Sequence, residues 1–207
     1  EEINRILGIS DSYQAPSKIM EILYNREHRE KVFDDLKELH GWDLSYDWFH
    51  EYFQDEHADR AKRKQDFTPD SIGRVLASIL KPTDGIYAEQ ACGTGGLVIK
   101  AWDESRKAKL PWEFNPTKHF YELEELSERT IPFLLMNLMI RGVNAVVIHC
   151  DSMARKAYGV FYIQNYSNDA LSYSDLNVLP YTTYIEQLLE IRFAEKKYTE
   201  HVERSVY

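Results

Sequence analysis

Apolar residues recur along this chain in two rhythms, and the change between them falls near residue 60. Up to that point the spacing is helical. Ile19, Ile22, Leu23, Val32, Phe33, Leu36 and Leu39 fall on one helical face between Ser17 and Gly41. Trp48, Phe49, Tyr52 and Phe53 repeat the pattern in a second helix, and their aromatic rings read as core. From residue 65 short apolar runs alternate with helical stretches. Thr68-Pro69 opens a helix with a threonine cap and a proline in the first turn. Ile72, Val75, Leu76, Ile79 and Leu80 form its buried stripe, and Lys81-Pro82 ends it. Gly85-Ile86-Tyr87-Ala88 predicts a first strand, His119-Phe120-Tyr121 a second and Ala145-Val146-Val147-Ile148 a third. Helices are expected over about Gly96 to Lys107 and Thr130 to Arg141, the latter closed by Gly142. Tyr158 to Ile163 and Leu171 to Val178 are further strand candidates. Residues 183–197 return to helix, with Ile185, Leu188, Leu189 and Phe193 on one face.

Strands alternating with helices predict the α/β class: parallel βαβ units in a Rossmann-like sheet, helices on both faces, and a ligand crevice at the strand carboxyl ends. Three parts are expected. These are a helical N-terminal segment over residues 1–60, a Rossmann-like domain over 61–182 and a helical C-terminal tail over 183–207.

Composition narrows the class without naming a function. With 43% apolar and 13% aromatic residues among 207, the chain can bury a sizeable core, which excludes global disorder. No apolar run approaches the roughly 20 residues that span a bilayer, and no signal-peptide pattern is present, so a cytoplasmic protein without a membrane association is expected. The chain opens on Glu1 rather than methionine, as a trimmed piece of a longer chain would. Cys92 and Cys150 are too few for a disulfide scaffold and lack CxxC spacing, so no metal site is expected. Charge is uneven: 15 acidic and 7 basic side chains fall within residues 1–60, against 19 and 18 in the remainder. An acidic N-terminal segment of this kind suits a protein partner better than nucleic acid, whose phosphates call for a basic surface. Arg60, Lys62, Arg63 and Lys64 form the one basic run, readable as a solvated helix end or as a phosphate contact.

The chemistry concentrates after the expected strands. Glu89-Gln-Ala-Cys-Gly-Thr-Gly-Gly96 stands between a strand and a helix. Gly93 and Gly95 permit torsions and close approaches that a Cβ forbids, and the N–H groups opening the next helix face whatever lies there. Glu89, Glu124 or Glu125, and Asp151 each follow one of three successive strands. Carboxylates so placed can accept from ribose hydroxyls or amino groups, which points to a nucleoside-bearing cofactor.

Gln65-Asp66-Phe67-Thr68-Pro69, the loop Ala91-Cys92-Gly93-Thr94-Gly95-Gly96, Met136-Asn137-Leu138 and Cys150-Asp151-Ser152 occur in that order. Together they resemble the N6-adenine DNA methyltransferases, specifically the modification subunit of type I restriction-modification systems, over roughly residues 60–155. The resemblance implies S-adenosyl-L-methionine as cofactor. It places Phe67, Thr68 and Pro69 beside the methionine moiety, and Cys92, Gly93 and Gly95 in the loop beneath methionine and ribose. Glu89 stands where the family usually has aspartate, followed by Gln90 where proline is usual. Glu124 takes the place of the ribose carboxylate if Tyr121 is aligned with the family tyrosine. Counting back from Asn137 favours Glu125, and both stay open. Asp151 corresponds to the residue that recognises the adenine amino group of the cofactor.

One departure is large. The family's Asn-Pro-Pro-Tyr, which grips a flipped adenine, has as its nearest counterpart Asn177-Val178-Leu179-Pro180-Tyr181. The resemblance thus casts Asn177, Pro180 and Tyr181 as the catalytic groups. The extra residue shifts the ring by roughly 3 Å along an extended chain. Three readings follow: an adenine-N6 DNA methyltransferase acting with a separate specificity subunit, a catalytically impaired relative that keeps the cofactor site and engages a protein partner, and a methyltransferase for another acceptor.

Overall fold

The computed structural model describes residues 1–52 and 84–204. The helix expected from Thr68, the basic run at 60–64, Phe53 and the triplet Phe67-Thr68-Pro69 lie outside the described residues. Three N-terminal helices come first: α1 (Glu2–Leu7), α2 (Ala15–Leu23) and α3 (Arg26–Leu39). The single helical face expected between Ser17 and Gly41 is therefore split. Asn25 adopts an extended conformation, and its side chain accepts the His28 N–H at 3.1 Å, capping α3.

The second rhythm becomes β1 (Gly85–Gln90), α4 (Gly96–Lys107), β2 (His119–Glu125), α5 (Ile131–Ile140) and β3 (Asn144–Asp151). These strands lie side by side and parallel, with Tyr87 opposite Tyr121 and Tyr121 opposite Ala145. They form the expected βαβ units. The later strands do not. β4 (Lys156–Gln164) runs antiparallel to β3, β5 (Asp175–Val178) antiparallel to β4, and β7 (His201–Val202) antiparallel to β5, while β6 (Arg192–Phe193) pairs with the start of β4. A parallel return needs a crossover of a dozen or more residues. Only residues 152–155 separate Asp151 from Lys156, so the chain must turn back as a hairpin. Asp151 Oδ1 accepts the Ala154 N–H at 2.9 Å in that turn, and Arg155 closes it with φ 54°.

One sheet face, carrying Tyr121, Leu123, Ala145, Val147, Phe161 and Ile163, packs into a core shared with all three N-terminal helices, α4 and α5. Every residue of α5 is buried, as suits a helix that is apolar nearly all round. The other face presents Val146, Ile148 and Val160 to a smaller cluster that includes Ile185 of α6 (Thr183–Leu188) and Ile191. The helix expected over 183–197 stops at Leu188. Leu188 is 60% exposed while Ile185, Leu189 and Phe193 pack on the smaller cluster, and Glu190 turns into the left-handed region ahead of β6. The C-terminal segment is tied back to the N-terminal helices. Buried Arg29 of α3 donates through Nη2 to Glu203 Oε2 at 2.6 Å. Among the described residues no helix is long and apolar enough to cross a membrane.

Candidate functional site

The carboxyl ends of β1, β2 and β3 converge on the glycine loop. Three of the five residues between β1 and α4 take left-handed torsions: Ala91 (φ 54°), Gly93 (φ 58°) and Gly95 (φ 98°). At Gly95 the need for glycine is double. A Cβ there would stand 3.0 Å from Leu134 Cδ1 and 3.2 Å from Val98 Cγ1, in a torsion that side chains rarely adopt. At Gly96 a Cβ would meet nothing within 4 Å among the described residues, so none of these covers the first turn of α4 there. Gly95 caps that helix without a side chain, leaving its first N–H groups to an outside acceptor.

Strand β2 holds the loop from one side. The Cys92 N–H donates to the Glu124 carbonyl at 3.2 Å, and the Gly93 N–H to Glu125 Oε2 at 2.8 Å. Glu125 Oε1 accepts the Ser127 N–H at 2.7 Å, so both of its oxygens serve the backbone. Glu124, one residue earlier and on the opposite sheet face, is differently placed. Its Oε1 accepts from Arg155 Nη1 at 2.6 Å; its buried Oε2 accepts no N–H or O–H among the described residues, and the Cys150 thiol lies beside the carboxylate. Arg155 is held in turn by the Leu189 carbonyl at 2.8 Å and the Glu190 carbonyl at 3.0 Å.

Glu89, the penultimate residue of β1, accepts the Tyr87 hydroxyl at 2.9 Å. Burial pushes its carboxyl up to about 7; the Tyr87 hydrogen bond opposes the shift and the Glu125 charge adds to it. Burial, with Glu89 and Glu125 nearby, also holds the Cys92 thiol well above the usual range. That thiol is a protonated donor to the Glu124 carbonyl at 3.4 Å and not a nucleophile. Asp151 stands at the end of β3, half-buried.

The far side of the loop is held by residues that sequence patterning passed over. Thr94, 1% exposed, gives its hydroxyl to Asp47 Oδ2, and its carbonyl accepts from Asn137 Nδ2 at 2.9 Å. Asp47 belongs to the N-terminal segment, and nothing in its local pattern marks it. Asn137 sits in the Met136-Asn137-Leu138 run, a polar residue inside an otherwise apolar helix, which was the available signal. Arg155 carried none.

The structure brings Glu89, Cys92, Gly93, Gly95, Glu124, Glu125 and Asp151 to one end of the sheet. It does not bring Asn177, Pro180 and Tyr181 there. Following register, Ala88, Glu122, Val146, Tyr162 and Asn177 form one row across five strands. Four strand spacings put β5 about 19 Å from β1. Asn177 is 3% exposed, and its Oδ1 accepts the Glu203 N–H at 2.9 Å. The Tyr181 hydroxyl donates to the Tyr158 carbonyl at 3.0 Å and accepts the Tyr198 N–H at 2.9 Å. The three residues expected to be catalytic thus stand apart from the glycine loop, and Asn177 and Tyr181 join β4, β5 and the C-terminal segment. The cause is the hairpin after β3, which carries the following strands outward past β3 and away from β1. Among the described residues no cluster of three or more His, Cys, Asp or Glu could hold a metal ion.

A crystal structure of a modification subunit of a putative type I restriction enzyme from Vibrio vulnificus YJ016 is similar over 62% of this chain, with 18% identity and a TM-score of 0.47. The chain spans 28% of that subunit's length. No curated protein matches. Residues 44–165, more than half of the chain, match the N-6 DNA Methylase family, and they include the glycine loop, both β2 glutamates, Asp151 and Asp47. The chain belongs to the N-6 DNA methylase family.

Proposed function

We propose that the chain binds S-adenosyl-L-methionine at the carboxyl ends of β1, β2 and β3, and serves N6-adenine methylation of DNA as part of a larger modification enzyme with a separate specificity subunit. The observation that carries this reading is the Glu124 carboxylate. A buried oxygen without a donor is costly, and here it stands beside a glycine loop at the end of a parallel strand. A ribose hydroxyl is the kind of donor that satisfies it. Glu124, rather than Glu125, is then the ribose carboxylate, because both Glu125 oxygens are engaged by Gly93 and Ser127.

The remaining groups fit the same cofactor. Gly93 and Gly95 let the backbone pass close beneath it, and Cys92 closes the loop against β2. Ionised Glu89 would balance the cationic methionine end. Asp151 would accept from the adenine amino group while its other oxygen keeps the Ala154 turn. Phe67, Thr68 and Pro69 are assigned to the methionine side by resemblance. When bound, S-adenosyl-L-methionine supplies an electrophilic methyl group; the residues here hold and orient it and exclude water. The groups that grip the target adenine lie elsewhere than Asn177–Tyr181.

That last point favours a second reading: a protein that keeps the cofactor site without methylating, and engages a protein partner through its acidic N-terminal segment. Ultraviolet crosslinking of labelled cofactor, with peptide mapping, tests the site: label in residues 65–69, 85–96, 119–127 or 149–155 supports it, and label confined elsewhere overturns it. Label transferred to adenine in DNA, with a specificity subunit supplied, decides for the enzyme; binding without transfer decides for the second reading.

A further inference from the structure

The N-terminal segment reaches the glycine loop through a single carboxylate. Asp47 Oδ2 accepts the Thr94 hydroxyl, and Oδ1 accepts from Asn137 Nδ2 at 2.7 Å and from the Phe49 N–H at 2.9 Å. Asn137 Nδ2 also donates to the Thr94 carbonyl, so hydroxyl and carbonyl of Thr94 are both engaged at one point. Thr94 lies between Gly93 and Gly95, the two residues with the most conformational freedom in the loop.

The segment that delivers Asp47 is itself pinned on all sides. Arg141, 2% exposed, donates through Nε to the Leu44 carbonyl at 2.9 Å and through Nη2 to the Tyr46 carbonyl at 2.6 Å. Its Nη1 donates to the Asn137 carbonyl at 2.7 Å and to the Asn137 Oδ1 at 3.0 Å. Lys100 of α4 reaches the Ser45 carbonyl at 2.9 Å. Residues 44–47 thus bridge α4, α5 and the glycine loop that precedes α4, in a part-buried network that is connected around Thr94.

We infer that Asp47 is the positioning residue of the cofactor loop: by fixing Thr94 it holds the Gly93, Gly95 and Gly96 backbone in the shape that accepts the cofactor. The inference rests on the cofactor reading above. Asp47 touches no ligand in it and acts through Thr94.

The test uses the full chain with Thr94→Val, which keeps the shape and removes the hydroxyl, Thr94→Ser, which restores it, and Asp47→Ala, alone and combined with Thr94→Val. Two quantities are read: affinity for S-adenosyl-L-methionine by calorimetry, and amide hydrogen exchange over residues 92–96 without cofactor. Thr94→Val is expected to weaken binding about tenfold, from the loss of a hydrogen bond to a charged group. Its loop exchange should rise, and Thr94→Ser should return both quantities to the original values. The double variant should lose little beyond either single one. Wild-type binding and loop exchange in Thr94→Val would overturn the inference. Should the unaltered chain bind no cofactor, the functional reading falls, and loop exchange alone decides whether Asp47 fixes Thr94.

Discussion

Glu124 and Glu125, adjacent on β2, do opposite work at the glycine loop. Glu125 gives both oxygens to the Gly93 and Ser127 N–H groups, whereas Glu124 keeps a buried oxygen without an N–H or O–H donor among the described residues. Exchanging each for glutamine separates them. Glu125→Gln puts an amide nitrogen against one backbone N–H, which costs about 1–3 kcal/mol and lowers the melting temperature. Glu124→Gln keeps an amide oxygen for Arg155 but gives up the ion pair, so it lowers the melting temperature less than Glu125→Gln does and weakens the cofactor. Paired thermal melts and binding titrations check both, and the reverse assignment would exchange the two phenotypes.

The Glu89 carboxyl, raised by burial to about 7 from 4.5, links both folding and binding to pH. Between those two values the folded state holds more protons than the unfolded, so stability should fall as pH rises through the window. Binding of a cationic cofactor favours ionised Glu89 and should therefore tighten from about pH 6 to pH 8, with proton release at the acid end. Calorimetry in buffers of different ionisation heat measures that release. Glu89→Gln should remove it, and Tyr87 and Glu125, the groups facing Glu89, remain in place.

Gly95 and Gly96 are neighbours with opposite tolerance. Gly95→Ala meets Leu134 and Val98 in a left-handed torsion and should destabilise by roughly 1–3 kcal/mol. Gly96→Ala meets open space at a helix start and should leave the melt unchanged or raise it slightly. Its effect should appear in cofactor affinity, because the added methyl points into that space. Equal destabilisation by both substitutions would contradict the loop geometry.

Tyr181→Phe leaves the Tyr198 N–H without an acceptor and should cost about 1–3 kcal/mol in stability. Cofactor affinity should not change. A large loss of affinity with an unchanged melt would put Tyr181 back at the site.

The first half of the sheet was legible because each strand there is followed by its own helix, and period 2 gives way to period 3.6 at Gly96 and Thr130. The glycine loop and its three carboxylates followed from that alternation. The second half was not legible in the same way. A short apolar run such as Tyr158–Ile163 reads alike in parallel and antiparallel strands, and only the four residues between Asp151 and Lys156 decide between them. That choice moved Asn177 and Tyr181 across the sheet. Asp47 escaped notice for a different reason: its partners Thr94 and Asn137 are 47 and 90 positions away, and no local period encodes such a contact. The split at Asn25 was readable, since an asparagine ahead of a charged helical stretch is a good cap.

The central claim, that Glu124 completes a binding site for S-adenosyl-L-methionine, is tested most directly by titrating the cofactor into the unaltered chain and into Glu124→Gln. Saturable one-to-one binding by the first, weakened about tenfold or more in the second, is the expected result. Equal affinity in the two proteins, or no binding to the unaltered chain, would contradict it.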